Sequence, residues 1–142
     1  MHHFQLKDLE KLPKIYRLNL MNSVTGYKSA HLIGTQSVEG KDNLAIFSSV
    51  VHLGSNPALI GYILRPTTVP RHTYSNMKAT GVFTLNSVTT KQIADAHHTS
   101  AKYPEEISEF DRTDLEVERK ETWEAPFVKG SPIQMGCRYQ NE

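Results

Sequence analysis

Apolar residues fall along this chain mostly in short runs and alternations, the patterns of strands, and more rarely at helical spacing. Alternation at Tyr16, Leu18 and Leu20 predicts a first strand. SAHLIGTQS (29–37) predicts a second, and VEGKDN (38–43) then supplies turn chemistry through Gly40, Asp42 and Asn43. NLAIFSSVV (43–51), poor in charge and rich in β-branched or aromatic residues, predicts a third. LGSNP (53–57) reads as a turn. ALIGYIL (58–64) predicts a fourth strand, and its near-continuous apolar character predicts that both faces are covered. VFTLN (82–86) is a fifth, and SPIQMGCRYQ (131–140) the last.

Two segments interrupt this pattern. In TYSNMKATG (73–81), Thr73 is a good N-cap and Gly81 a good C′ residue, which predicts a short helix between them. In VTTKQIADAHHTSAKY (88–103), Thr89 and Gln92 have capping-box spacing, and Ile93, His97 and Ala101 share one helical face. Pro104 marks the end of that helix. PEEISEFDRTDLEVER (104–119) is acidic and expected to be mostly exposed. Trp123 and Phe127 flank a proline and are expected at a surface or subunit contact; Asn86, at a strand end, is expected to cap a turn. Strands that follow one another across short turns predict a mainly β, largely antiparallel fold. Its simplest closure is a small β-barrel with peripheral helices.

With 142 residues, the chain fits a single domain spanning 1–142 with a real core. A formal net charge of +1 lacks the basic excess of nucleic-acid binders. The single cysteine, Cys137, rules out an intrachain disulfide and fits a reducing compartment. The N-terminus has no apolar signal-like core, and no apolar run approaches the roughly 20 residues of a membrane helix. A cytoplasmic location without membrane partners is the expectation.

The densest candidate chemistry is RPTTVPRHT (65–73). Pro66 and Pro70 stiffen it and remove two backbone donors. The following helix points free N–H groups and its positive dipole end toward this stretch. Arg71, the Thr73 hydroxyl and a helix N-terminus together make a phosphate site, and Arg65 could reach the same anion. The alternative is a solvated crossover with two surface arginines, and the residues alone leave the two evenly balanced. FSSVV (47–51) carries two adjacent hydroxyls inside an apolar run. Ser48 and Ser49 point to opposite faces, so one needs a buried partner; such a segment suits either a flat polar ligand or a strand with one wet face. Of the seven histidines, His97 and His98 diverge on a helix and His2 and His3 sit at a terminus expected to fray, so no metal is expected. His52 is read as a half-buried residue at a strand end. Cys137 has no general base beside it in sequence and is rejected as a nucleophile.

Three blocks in order resemble the flavin reductase-like family with the FMN-binding split-barrel fold. GKDNLAIFSS (40–49) is similar to that family's G-x-x-N-x-A-P-F-S, and RHTYSNMKATGVFTLN (71–86) to its Lys-Asp-Thr-x-x-Asn block ending in Gly-x-Phe-x-x-Asn. APFVKGSPIQMGCRY (125–139) is similar to its Val-x-x-Ser-Pro block with a following Cys. Ile46 stands where proline is usual, and Arg71-His72 replaces Lys-Asp, which removes a negative charge beside the phosphate. The resemblance implies an FMN-binding split β-barrel with short peripheral helices, a homodimer with FMN (FAD as the alternative) near the subunit interface. It implies that Phe47, Ser48, Ser49, Val50 and Val51 line the flavin ring, that Asn43 lies beside it, and that Arg71 and Thr73, with Arg65, hold the phosphate. The family usually continues with further strands past Tyr139, so the domain is expected to be incomplete at its C-terminus. The implied activity is NAD(P)H-dependent flavin reduction, hydride passing to flavin N5 with no obligatory side-chain acid or base. The alternatives are an FMN-binding electron-transfer module without a nicotinamide site, and a partner-binding barrel that has lost flavin.

Overall fold

A computed structural model describes residues 3–141. Two short helices come first, α1 (Leu6–Lys11) and α2 (Lys14–Ser23). The remaining elements are β1 (His31–Gln36), β2 (Asp42–Phe47), β3 (Val51–Ser55), β4 (Ala58–Gly61), α3 (His72–Thr80), β5 (Val82–Ser87), α4 (Ile93–His98), β6 (Val117–Lys120), β7 (Trp123–Val128) and β8 (Gln134–Arg138). Turns of 3₁₀ geometry at Thr90–Gln92 and Glu109–Arg112 precede α4 and β6. Every strand pair is antiparallel, so the mainly β, antiparallel expectation holds. The central sheet has the order β2-β1-β5-β8, and two hairpins, β3-β4 and β6-β7, stand beside it.

Strand alternation divides the core between the two faces of this sheet. Leu32 and Leu44 point to one face, where Leu115, Val128 and Ala96 cover them. Ile33 and Leu85 point to the other, where Met77 of α3 packs with Phe83, and Phe47, Val50 and Tyr62 close the edge. Gly34 sits mid-strand where β7 crosses β1. A Cβ there would collide with the Pro126 carbonyl and lie 2.6 Å from Thr84 Oγ1, so only glycine allows the approach.

Several sequence expectations hold. The turn expected at 38–43 does join β1 to β2, but Asp42 and Asn43 already belong to β2 and pair with Gln36 and Thr35. Gly81 adopts φ 73° in the left-handed region and its N–H closes α3 on the Met77 carbonyl. Thr89 and Gln92 form the capping box.

Others are corrected. Tyr16, Leu18 and Leu20 lie on a helix, since Pro13 at its N-cap and a run of good helix formers prevail over a three-residue alternation. The segment 43–51 is two strands, broken at 48–50 where the chain leaves the sheet for the β3-β4 hairpin. The run at 58–64 is not covered on both faces: Leu59 and Ile60 are 39% and 40% exposed, because β4 pairs only with β3. On α4 the buried residue is Ala96 while Ile93 is exposed, so the helix turns a different face inward from that expected. The acidic segment 104–119 buries Ser108, Glu109 and Leu115 and ends in β6. Phe127 lies in the core on β7. Trp123 is half-buried, packs flat under Gly136 and donates to the Phe83 carbonyl at 3.2 Å.

Asn86 caps no turn. Wholly buried in β5, it donates to the Leu32 carbonyl (3.2 Å) and Thr84 Oγ1 (2.9 Å) and accepts the Val128 N–H at 3.0 Å. One side chain thereby joins β1, β5 and β7.

Candidate functional site

The helix α3 starts two residues earlier than a Thr73 cap implies. Arg71 holds the N-cap position, and the first intrahelical bond runs from the Ser75 N–H to the Arg71 carbonyl at 3.0 Å. Thr73, the second helical residue, is buried instead of capping. Its Oγ1 accepts from Asn43 Nδ2 at 3.0 Å, and both Asn43 and Asn76 donate to Thr35 Oγ1 at 3.3 Å. The structure therefore brings Asn43 and Thr73 into contact and ties β1, β2 and the start of α3 through a buried polar cluster. A shallow crevice beside it is lined by Lys41, Asn43, His72 and Asn76.

Arg71 is half-buried. Its Nη2 donates to the Pro66 carbonyl at 3.4 Å, while its Nε is buried and meets no acceptor among the described residues. A buried N–H without an acceptor is costly. Here it lies at a helix N-terminus, where backbone donors and dipole favour an anion. These donors suit an anionic group such as a phosphate. Arg65 is exposed on the preceding loop, and no described contact joins it to Arg71.

The second group of predicted residues runs from Phe47, the last residue of β2, to Val51, the first of β3. Phe47 meets Tyr62 edge-on, with ring centroids 5.1 Å apart and planes at 73°, and Tyr62 meets Phe83 in the same way at 6.5 Å. Tyr62 donates its hydroxyl to Met77 Sδ at 3.2 Å, and burial pushes its phenol up to about 12. Ser49 finds a partner, but an exposed one, so the buried partner expected of one serine is not what the structure supplies. Its hydroxyl donates to the Ile63 carbonyl at 3.0 Å and accepts the Ile63 N–H at 3.1 Å, so a side chain stands in for a ladder rung. Ser48 and Val51 are exposed, and Val50 packs against the Phe47 and Tyr62 cluster. Asn43, Phe47 and the α3 residues share one face of the sheet, so the two groups lie along one line.

The structure adds residues that sequence reading passed over. His31 opens β1 directly opposite Phe47; its Nδ1 is buried with no partner among the described residues, and burial lowers its pKa against a Ser29 backbone contact. Strand alternation placed it on the Phe47 face, a signal available in the sequence. Thr35 and Asn76 also sit on this face, whereas Glu109 had no sequence signal at all. The other histidines fall elsewhere. His52 is exposed, 3.2 Å from Ser55 Oγ, so it is not the half-buried strand-end residue expected; His98 lies 2.8 Å from the Tyr103 hydroxyl. His2 lies outside the described residues. Among the described residues no three metal-ligating side chains cluster. Burial pushes the half-buried Cys137 thiol up, away from the thiolate. No helix of the described residues is long and apolar enough to cross a membrane.

An antiparallel split sheet with an arginine-capped helix start and an aromatic strand end on one face defines the class of the molecule. The profile of the Flavin reductase like domain matches residues 27–142, and the chain belongs to this family. Among solved structures it is similar to a protein from Shewanella frigidimarina NCIMB 400 assigned as a flavin reductase with a split barrel domain. The identity is 43% and the TM-score 0.92, over 97% of this chain and 68% of that one. It shares its fold with an FMN-binding domain of a flavin reductase-like enzyme from Shewanella baltica OS155 (20% identity, TM-score 0.72, covering 81% of this chain and 59% of that one). It also shares it with an NADH:FAD oxidoreductase from Streptomyces globisporus C-1027 (14% identity, TM-score 0.73, covering 99% and 77%). The split-barrel fold is thereby established. This chain spans about two thirds of the Shewanella frigidimarina protein, 68% of its length. Among curated proteins none matches significantly.

Proposed function

We propose that this chain is a single FMN-binding domain of an NAD(P)H-dependent flavin reductase. The observation that carries the reading is the buried, unpartnered Arg71 Nε at the N-terminus of α3, beside the Asn43–Thr73 contact. Arg71, with the first amides of α3, would hold the phosphate, and Thr73 would position that turn. Arg65, exposed one residue before Pro66, would add long-range charge. Phe47, Ser48, Ser49, Val50 and Val51 would form the wall against the ring, with Asn43 between ring and phosphate. The bound flavin supplies the redox chemistry, taking hydride at N5 from a nicotinamide. The protein's own work is then to bind and orient, and the exposed Ser48 leaves one approach open. The FMN-binding and NADH-linked relatives that share the fold support this choice of cofactor and donor. The lone cysteine supports a reducing, cytoplasmic setting.

The purified protein is expected to take up FMN with a perturbed visible spectrum and to bleach on anaerobic addition of NADH or NADPH. Uptake without bleaching supports the alternative, an electron-transfer module without a nicotinamide site. No uptake of FMN or FAD sinks both and leaves a flavin-free barrel.

A homodimer belongs to the same proposal. Leu53 and Ile63 in and after the β3-β4 hairpin are 64% and 71% exposed, and Ile15 on α2 is 68% exposed. A ten-residue helix with no buried residue is marginal in water by itself, which supports a second copy as its cover. Light scattering is expected to give twice the mass of one chain; a monomer at micromolar concentration overturns this part.

A further inference from the structure

β2 is an edge strand of the central sheet, so amides on its outer side need partners from outside the sheet. The amide of Leu44 finds its partner in a side chain. Glu109, on the 3₁₀ turn packed against the strand, accepts it through Oε2 at 2.8 Å. The residue is only 6% exposed. Burial raises its pKa, opposed by the Leu44 bond, by its own backbone amide and by nearby His72, the first residue of α3. Closing one edge amide does not require a buried carboxylate, whose desolvation is expensive.

The location supplies the reason. The bonded peptide joins Leu44 to Asn43, and the Asn43 side chain is the strut that reaches Thr73 at 3.0 Å and Thr35 at 3.3 Å. A strand edge free to fray at Leu44 would carry Asn43 away from α3. The helix start, with Arg71 at its N-cap, would lose its tie to the sheet. From Glu109 to Arg71 the path runs through the Leu44 amide, Asn43 and Thr73.

We infer that Glu109 is a positioning residue of the flavin site: by clamping the Leu44 amide it fixes Asn43 and, through Thr73, the phosphate-binding turn at Arg71. The inference rests on the flavin reading above. It makes a demand that a merely structural residue does not. Loss of the clamp should weaken ligands that carry the phosphate and spare those that lack it.

The test compares Glu109→Ala and Glu109→Gln in the full chain, with FMN and riboflavin as probes and hydrogen exchange at the Leu44 amide as an independent readout. Glu109→Ala is expected to raise the FMN dissociation constant about tenfold, leave riboflavin affinity within about twofold, and speed Leu44 exchange about tenfold or more. Glu109→Gln keeps an oxygen acceptor and is expected to restore all three. If Glu109→Ala fails to fold, Glu109→Met fills the volume and serves in its place. Unchanged FMN affinity with a deprotected Leu44 overturns the inference, as does equal loss of FMN and riboflavin in a folded variant. A Gln variant as weak as the Ala variant also overturns it. A parent protein that binds no FMN sinks the flavin reading and this inference with it. That failure is recognised because Leu44 exchange still responds to the substitution.

Discussion

Replacing Arg71 by alanine is expected to weaken FMN binding by about 10- to 100-fold while leaving riboflavin binding unchanged. The magnitude follows from the loss of charge-assisted hydrogen bonds, each of about 1.5–3 kcal/mol. The guanidinium is already partly desolvated, so little water shields its charge from a phosphate. Its Nη2 is turned to the Pro66 carbonyl, which fixes the fork, and its Nε is buried without an acceptor. Such a group is pre-organised for an incoming anion rather than for a protein partner. Arg71→Lys keeps the charge but loses the planar fork, and is expected to fall between the parent and the alanine variant. Titration of FMN and riboflavin by fluorescence quenching checks all of these values. FMN affinity unchanged in Arg71→Ala would remove the phosphate assignment from this arginine. Equal losses for both ligands would move Arg71 from the phosphate to the ring.

The largest effect on stability is expected at Asn86. Asn86→Ala is expected to cost about 3–5 kcal/mol, read as a lower denaturant midpoint and a fall in Tm on the order of 10 °C. The Val128 N–H would be left buried without an acceptor, the Leu32 carbonyl and Thr84 hydroxyl would lose a donor, and a small cavity would open. Asn86→Leu separates these contributions, because it fills the volume and restores no hydrogen bond. It is expected to be nearly as unstable as the alanine variant. A leucine variant as stable as the parent would show that packing, not the three hydrogen bonds, accounts for the residue.

Much of the local structure at α3 was legible from the sequence because it is set within a few residues. A proline-stiffened approach and a C-terminal glycine in the left-handed region act within a few residues of one another, so the helix and its stop at Gly81 could be read in place, although its cap falls at Arg71 and not at Thr73. Asn43 could be picked out only through family resemblance, and its contact with Thr73, 30 positions later, is purely tertiary. The errors have one physical origin. Alternation and apolar runs report how a segment can pack, not what packs on it. Tyr16 to Leu20 satisfied a strand pattern and became a helix; 58–64 had the composition of a buried strand and pairs only within a hairpin. Glu109 lay in an acidic run that reads as solvated, and only the closing of the sheet edge brings it to Leu44.

By itself the sequence determined that the chain builds a mainly β, antiparallel fold with a short helix after the proline-rich stretch 65–73, because strand periodicity, turn residues and caps act over short distances. Only the tertiary structure decided which buried polar groups find partners. It pairs Asn86 with β1 and β7 and Glu109 with β2, and it leaves the Arg71 Nε without an acceptor. The physical reason is that the cost of burying a polar atom depends on what the distant chain places within about 3 Å of it, and no local pattern encodes that.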